Sequence, residues 1–249
     1  MDSRSAFGYK ESMTYQDAVS CTVLIIDVAG SASHTNPWQL RMRTDLRKIV
    51  LGILETQRHD PAGFHLDDTG DGVRLIFPSE AMTIDLLARF VPALAEALRA
   101  YRTADPQAGF RLRVAIDTGL VHRDHGWHGS PLIRCSRLCD AEPVRQVLRA
   151  ANRSDLVLVV SSRVYDDVVR HGYDGIDPSS YRSIAVQVKE TGTTAWVHIP
   201  GYASPPDVAD GDDSRPERQD RPAATTMQAT VFGDGRVYQA GRDQHISER

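Results

Sequence analysis

Three aspartates cluster in the stretch FHLDDTGDGVRLIF, which covers residues 64–77. Asp67, Asp68 and Asp71 surround a Gly-Asp-Gly turn between apolar, β-prone flanks, a pattern that predicts a hairpin with an acidic tip. Asp27 ends the apolar run CTVLIIDV, where an unpaired carboxylate on a buried strand would be costly. The acidic tip is therefore either simply solvated or turned toward a cation.

If the strand that ends at Asp27 is adjacent to the hairpin, the carboxylates of Asp27 and Asp71 converge. Carboxylate oxygens with open coordination positions suit Mg²⁺ or Mn²⁺ that must also hold phosphates. The turn after Asp27 offers backbone amides to an anion, from Gly30, Ser31, Ala32 and Ser33. Together these features indicate a nucleoside triphosphate. In the simpler alternative, Asp27 caps the following turn and Asp71 is only a turn residue.

Composition sets the class of protein. The chain has 249 residues, enough for one large domain or two small ones, with 41% hydrophobic and 25% charged residues. Its formal net charge of -4 provides no broad basic field, so nucleic acid is not expected as a partner.

The three cysteines are an odd number and predict no disulfide framework, which favours a reducing compartment. Cys135 and Cys139 are one helical turn apart, but no neighbouring ligands complete a zinc site, so we interpret them as buried small side chains. The start of the sequence lacks a signal-peptide pattern, and no apolar run approaches the ~20 residues that span a bilayer. We therefore expect a soluble, cytoplasmic protein without a membrane partner.

Strands and helices alternate along the chain. We predict strands at 21–28, 64–66, 73–77, 183–189 and 194–199. Two further strands begin at Phe110, with Gly119 at its turn, and at Asp155. We predict four helices. The first has Asn36 as its N-cap and Pro37 at its first position, and it ends at about Gln57. The others are Glu80–Tyr101, which contains Pro92, Leu132–Ala150 and Ser162–His171. This order predicts an α/β (α+β sandwich) fold with helices packed on a mixed sheet.

The composition changes after Gly201. We predict an N-terminal extension at 1–20, a catalytic-type domain at 21–201, a disordered linker at 202–226 that is rich in Pro, Asp, Arg and Gly, and a short hairpin-like element at 227–249. The last element is too small to be stable alone, so it would bind a partner surface or self-associate.

Four segments, in order, resemble the signature of the class III nucleotide cyclase catalytic domain. They are VLIIDVAGS, DDTGDGVRLIF, RLRVAIDTGLVHRDHGWHGSPLIRCSRLCDA and VLVVSSRVYDDVV, and the resemblance spans residues 21–200. It implies a ferredoxin-like βαββαβ core, a nucleoside triphosphate substrate and a homodimer. It also implies a divalent cation held by Asp27, Asp71 and the backbone carbonyl of Val28.

The resemblance further implies that Arg137, in CSRLCD, stabilises charge on the transferring phosphoryl group. In this arrangement Arg137 acts on the metal pair of the partner subunit. Lys189, in QVKETG, lies near the position of the family's phosphate-binding lysine.

Three positions depart from the adenylyl cyclase pattern. Asp67 stands where adenylyl cyclases carry a base-contacting lysine, and Gly126 occupies the second base-contacting position without a side chain. A carboxylate accepts hydrogen bonds from guanine or from a pyrimidine edge and cannot donate to adenine N1. Ile133 replaces the asparagine that orients the ribose, and Arg134 is a candidate substitute.

These features predict a nucleotide cyclase, a phosphorus–oxygen lyase, that converts a pyrimidine nucleoside triphosphate or GTP to a 3',5'-cyclic nucleotide. The acidic base position is similar to that of the pyrimidine cyclases of bacterial Pycsar antiphage systems, which implies a role in antiviral defense. One alternative is a catalytically silent cyclase fold that binds a nucleotide or dimerises. In a further reading, the C-terminal element recruits an effector protein.

Overall fold

The computed structural model of the protein describes residues 18–188 and 191–207. Its strands are β1 (Ala18–Val28), β2 (His65–Asp68), β3 (Gly72–Phe77), β4 (Leu112–Arg123), β5 (Trp127–His128), β6 (Leu156–Ser161), β7 (Tyr181–Val188) and β8 (Thr191–His198). Among the described residues they form one eight-stranded sheet in the order β2-β3-β1-β4-β6-β8-β7, with β5 paired to β4. β4 and β6 run parallel, and the other pairs are antiparallel.

The helices of the described residues lie between these strands. They are α1 (Asn36–Thr56), α2 (Met82–Asp85), α3 (Val91–Ala104), α4 (Ser130–Asp140), α5 (Glu142–Ala150) and α6 (Ser162–Asp167). The segment from β1 through α1, β2, β3 and α3 to β4 is the predicted βαββαβ core, because its strands lie in the ferredoxin-like order β2-β3-β1-β4. The predicted fold class is confirmed.

Each face of the sheet carries its own apolar core, because alternate residues of a strand point to opposite faces. On one face, Leu24 and Ile26 of β1 pack with Leu46 of α1 and Leu94 of α3. On the other face, strand residues such as Val23 of β1 and Val197 of β8 pack with α4 and α5. The side chain of Asp27 follows the period of Val23 and Ile25, so it belongs to the face that α4 and α5 cover.

Three local predictions are wrong in detail. The N-cap of α1 is Thr35, one residue before the predicted Asn36. The predicted helix at Leu132–Ala150 is two helices, α4 and α5, because the backbone of Ala141 is extended. Pro143 lies in the first turn of α5, where a proline is tolerated. Gly119 lies inside β4, with a φ of 145°, and makes no turn there.

The predicted helix at Glu80–Tyr101 continues past Pro92 through a π-helical segment. α2 passes into the π-helical residues Leu86–Phe90, and α3 follows directly with Pro92 in its first turn. A proline has no N–H to donate, so a local change of hydrogen-bond register lets the helix continue.

Two residues just after Gly201, within the predicted linker, contact the preceding domain. The Tyr202 hydroxyl donates to Asn152 Oδ1 at 3.1 Å, and Asp207 pairs with Arg182. The rest of the predicted linker, the C-terminal element and the N-terminal residues 1–17 lie outside the described residues, so those predictions stand untested. Within the described part of the chain, none of the helices has the length and apolarity required to cross a bilayer.

Candidate active site

The hairpin and the first strand place Asp27 and Asp71 side by side. Asp27 is the register partner of Gly72, the residue after Asp71, in the antiparallel pair of β1 and β3. The backbone N–H of Val28 donates to the carbonyl oxygen of Asp71 at 3.1 Å. The predicted proximity of the two aspartates is therefore present in the structure, and it is fixed by strand pairing.

Gly72 allows this close approach. A Cβ at position 72 would collide with the carbonyl group of Ile26 on the neighbouring strand. Any other residue would push the hairpin away from β1 and separate Asp71 from Asp27. The second glycine of the Gly-Asp-Gly sequence, Gly72, is therefore required by its close packing against β1.

Asp27 also has a partner that the sequence analysis missed. Arg113, its register partner on β4, donates from Nε to Asp27 Oδ2 at 2.7 Å and forms a second hydrogen bond from Nη2 to the same oxygen. Arg113 Nη2 also lies 3.9 Å from Asp140 Oδ1 at the end of α4. The available signal was a charged residue within the apolar alternation of FRLRVAIDTG.

The environment of Asp27 disfavours its ionised form despite this arginine. Burial raises the pKa of Asp27, and the nearby charges of Asp71 and Asp140 raise it further. The hydrogen bond and charge of Arg113 offset only part of this effect, so the pKa remains above its usual value. A cation close to Asp27 and Asp71 would relieve the repulsion between the two carboxylates.

The turn after β1 contributes a polar wall. Ser31 is buried, and its hydroxyl donates to Asp71 Oδ2 at 2.7 Å. Residues Ser31–Ser33 form one 3-10 turn, entered through Gly30 in the left-handed region, and α1 begins only at Asn36. The Ser33 amide donates to the Gly30 carbonyl at 3.1 Å, so it is committed within the turn.

These residues meet at a cavity of about 850 Å³. Its wall includes the predicted metal and phosphate positions Asp27, Val28, Gly30, Ser31, Ala32 and Asp71. The volume falls in the range of ~300–1,000 Å³ that is typical of small-molecule sites. Five arginines and three aspartates line it, so the wall carries an excess of positive charge.

Other predicted site residues lie elsewhere. Arg137 does not line this cavity; it lines an adjoining depression with Ala185 and Gln187 of β7, and the two share Ser136 and Asp140 in their walls. Gly126 lies at the tip between β4 and β5, with a φ of 147°. Lys189 lies outside the described residues, so its predicted role stands untested.

Asp67 is bound within its own hairpin. Arg74, its register partner, donates from Nε to Asp67 Oδ2 at 3.0 Å, and His65 Nε2 lies 2.6 Å from Oδ1. Burial raises the pKa of Asp67, but the hydrogen bonds and charges of Arg74 and His65 outweigh that effect, so the pKa lies below its usual value. Asp67 is an ionised hydrogen-bond acceptor near neutral pH, and a base would have to share it with Arg74 and His65.

The segments that carry the two predicted base positions meet in the fold. The His65 ring lies with its centroid 5.8 Å from that of Trp127, the residue that follows Gly126. The edge of the hairpin and the β4–β5 tip therefore meet through two aromatic rings.

Ile133 and Arg134 occupy different environments on α4. The Ile133 side chain is exposed, at 52% of its surface. Arg134 Nε donates to the fully buried Asp117 at 2.5 Å, and Ser161 Oγ donates to the same carboxylate at 2.6 Å. Because Asp117 depends on this partner, Arg134 is poorly placed to replace the missing ribose-orienting asparagine.

The cysteines behave as small core residues. Cys21, Cys135 and Cys139 are free and buried, and burial raises the pKa of each thiol. A thiol that stays protonated is a poor metal ligand, since the thiolate is the binding form.

The oxygen donors at the cavity fit a hard divalent cation. Within residues 18–188 and 191–207, no group of three or more His, Cys, Asp or Glu side chains is placed to hold a metal. A cation at Asp27 and Asp71 would therefore complete its shell with backbone oxygen, water and substrate phosphates, which is how Mg²⁺ is usually bound.

The chain is similar to solved structures of nucleotide cyclases. The guanylyl cyclase Cya2 is 15% identical, with 74% of this chain and 92% of that chain covered and a TM-score of 0.50. A bacterial light-regulated adenylyl cyclase is 13% identical, with coverage of 72% and 89% and a TM-score of 0.49. The guanylate cyclase domain of RhGC from Catenaria anguillulae, solved with GTP, is 12% identical, with coverage of 73% and 96% and a TM-score of 0.45.

No protein family model and no curated protein sequence matches the chain. The likeness to Cya2, at this level of identity, shows the fold: the chain has the fold of the class III nucleotide cyclase catalytic domains. The resemblance stated from the four sequence segments is confirmed at that level.

Proposed function

We propose that the protein is a nucleotide cyclase that converts a nucleoside triphosphate to a 3',5'-cyclic nucleotide and pyrophosphate. The observation that carries the proposal is the convergence of Asp27 and Asp71 with the Gly30–Ala32 turn on one cavity in a cyclase fold. A scaffold has no evident use for two adjacent carboxylates, because each raises the cost of ionising the other.

In this mechanism Asp27, Asp71 and the Val28 carbonyl would hold divalent cations, Mg²⁺ or Mn²⁺. Bound cations would neutralise phosphate charge and favour deprotonation of the attacking hydroxyl. The Gly30–Ala32 turn would bind phosphate oxygens through its amides. The 3'-oxygen forms a bond to the α-phosphorus, the bond from that phosphorus to the bridging oxygen breaks, and pyrophosphate leaves with release of one proton.

The active unit in this proposal is a homodimer. Arg137 lines a different depression from the metal pair of its own chain. Its predicted role on the transferring phosphoryl group therefore fits an arginine supplied by the second subunit. The exposed Ile133, one helical turn earlier on α4, is the kind of apolar residue that a partner subunit covers.

The substrate proposal is a non-adenine triphosphate, either GTP or a pyrimidine nucleotide. It is supported by the ionised Asp67, which offers only acceptors where adenylyl cyclases present a lysine. We further propose that the cyclic nucleotide acts in antiphage signalling, as in the Pycsar systems of pyrimidine cyclases. In this signalling role, the element at residues 227–249 recruits an effector protein.

The test is product formation by the purified protein with Mn²⁺ and each of ATP, GTP, CTP and UTP, read by mass spectrometry beside Asp71→Ala. A cyclic nucleotide from a non-adenine substrate, absent from the Asp71→Ala reaction, is the expected result. A matched control is Asp68→Ala, because Asp68 lies on the same tip but accepts only the Gly70 amide, at 2.7 Å. Product from Asp71→Ala at the wild-type rate would refute the role of the metal pair.

A second candidate is a catalytically silent cyclase fold that binds a nucleotide or dimerises. Ile133 in place of the ribose-orienting asparagine favours it, and Arg134 is committed to Asp117. This candidate predicts that no triphosphate yields product. It also predicts that Asp27→Ala leaves nucleotide affinity unchanged.

A further inference from the structure

The helix α5 carries two arginines that line the same cavity as the β1–α1 turn. Val144, Val147 and Leu148 are buried against the sheet. Arg145 and Arg149 are one helical turn apart and line the cavity that holds Asp27 and Asp71. The sequence motifs did not single out these arginines.

The position of α5 is anchored. Arg111, the residue before β4, has its Nη2 within hydrogen-bonding distance of the backbone carbonyls of Leu148, Ala151 and Ser154, the last at 3.0 Å. These contacts hold the end of α5 against the sheet beside the turn, because the amide of Ala29 donates to the Arg111 carbonyl at 2.9 Å. The two arginines therefore project from a helix whose backbone is held against the sheet.

The carboxylates that now pair with Arg145 and Arg149 would compete only weakly with a more highly charged anion for these arginines. Arg145 Nη2 lies 3.0 Å from Asp140 Oδ1, and Arg149 pairs with Glu142. The arginine side chains are 42% and 64% exposed and both acids are also exposed, so each ion pair contributes little. A multiply charged anion can replace these carboxylates at low cost and gain bidentate hydrogen bonds.

We propose that Arg145 and Arg149 bind the terminal phosphates of the substrate and the pyrophosphate that leaves. This inference rests on the proposed function, because it assigns the pyrophosphate end of the same cavity. Amides of the Gly30–Ala32 turn and the two guanidinium groups would both contact the phosphate chain, because they line the same cavity. Arginine suits this task because its planar fork matches phosphate oxygens.

The alternative is a solvated helix face whose arginines only pair with Asp140 and Glu142. The two readings differ for Glu142→Gln. Removing Glu142 frees Arg149, so a phosphate-binding role predicts tighter binding of pyrophosphate, whereas a purely structural role predicts no change.

The experiment is a calorimetric titration of the full-length protein with inorganic pyrophosphate in the presence of Mg²⁺. We expect Arg145→Gln/Arg149→Gln to weaken binding by about tenfold or more, since it removes two charge-assisted contacts. We expect Glu142→Gln to tighten it. The matched control is Arg170→Gln, an exposed helical arginine paired with Asp166 at 3.7 Å and outside the cavity wall.

Unchanged pyrophosphate affinity in the double variant, or an equal loss in Arg170→Gln, would overturn the inference. Titration does not require turnover, so the outcomes separate the two proposals. Binding that depends on Arg145 and Arg149 without cyclic product from any triphosphate would refute the proposed function alone. Cyclic product with wild-type affinity for pyrophosphate in the double variant would refute this inference alone.

Discussion

Arg113 donates two hydrogen bonds to one carboxylate oxygen of Asp27, the next-to-last residue of β1, beside the acidic hairpin. The two residues are 86 positions apart in the chain and directly opposite each other in the sheet. A cation that binds Asp27 competes with this guanidinium, and Asp140, 3.9 Å from Arg113 Nη2, provides it with a second carboxylate.

Arg113→Met should make the protein without metal less stable and more responsive to metal. The free energy of unfolding should fall by about 1–3 kcal/mol, because the half-buried Asp27 is left beside Asp71 without its cationic partner. Mn²⁺ should then raise the melting temperature by more than it does in the wild type. Differential scanning fluorimetry with and without Mn²⁺ measures both effects. Arg182→Met, which removes a β7 arginine paired with Asp207, is the control, and an equal response to Mn²⁺ in all three proteins would contradict the competition.

Mixing two inactive variants should restore activity if Arg137 acts across the dimer. Asp71→Ala and Arg137→Ala should each be inactive alone. After mixing and equilibration at equal concentrations, about a quarter of the wild-type rate should return, because half of the dimers then contain one intact site of two. Cyclic product formed per minute is the measurement. Absence of recovery, with subunit exchange confirmed by native mass spectrometry, would place Arg137 outside the partner's site.

The preference among the four nucleobases should change when the ion pair of Asp67 and Arg74 is replaced. Asp67→Lys combined with Arg74→Gln avoids two adjacent cations and introduces the donor that adenylyl cyclases use. We expect the rate with ATP relative to GTP, CTP and UTP to rise by about tenfold or more, since one hydrogen-bonding group at a base edge can discriminate that strongly. Arg74→Gln alone is the control for loss of the pair. If the relative rates of the four substrates do not change, Asp67 does not select the base.

Ile133→Asn should accelerate turnover. An asparagine amide at this exposed position of α4 would supply the ribose contact that isoleucine cannot make. If that contact is worth about 3 kcal/mol in the transition state, kcat should rise by about a hundredfold. Ile133→Ala removes the same apolar side chain without adding an amide, so it serves as the control. Equal kcat values for the wild type and both variants would show that the ribose is oriented by another group.

His198 should make stability depend on pH below neutrality. Burial lowers the pKa of His198 below the usual 6.5, although the Ser180 carbonyl and Asp177 oppose the effect. The unfolded state then binds more protons than the native state as the pH falls through 6.5, so stability is complete above that pH and declines below it. Urea unfolding at about pH 7.5 and about pH 5.5 should show a smaller decline for His198→Gln than for the wild type. His171→Gln is the control, because His171 is exposed. Equal declines in all three proteins would exclude His198 as the source.

The sequence by itself determined most of the order of strands and helices, because apolar periodicity is a local signal. It predicted that Asp27 and Asp71 converge only if their strands are adjacent, and the pairing of β1 with β3 in the tertiary structure meets that condition. The resemblance to cyclases drew on the same short segments, so it led to the correct fold class. The break at Ala141 was missed, because helical periodicity on both sides obscures one extended residue before a proline.

Only the tertiary structure decided what each charged side chain faces. Arg113 meets Asp27, Arg74 meets Asp67, and Arg134 meets Asp117 through strand register and helix packing. The position of α5, which brings Arg145 and Arg149 to the cavity, depends in the same way on how it packs on the sheet. The physical reason is that secondary structure follows from interactions between near neighbours in the chain, whereas ion pairs and cavities depend on contacts between distant segments.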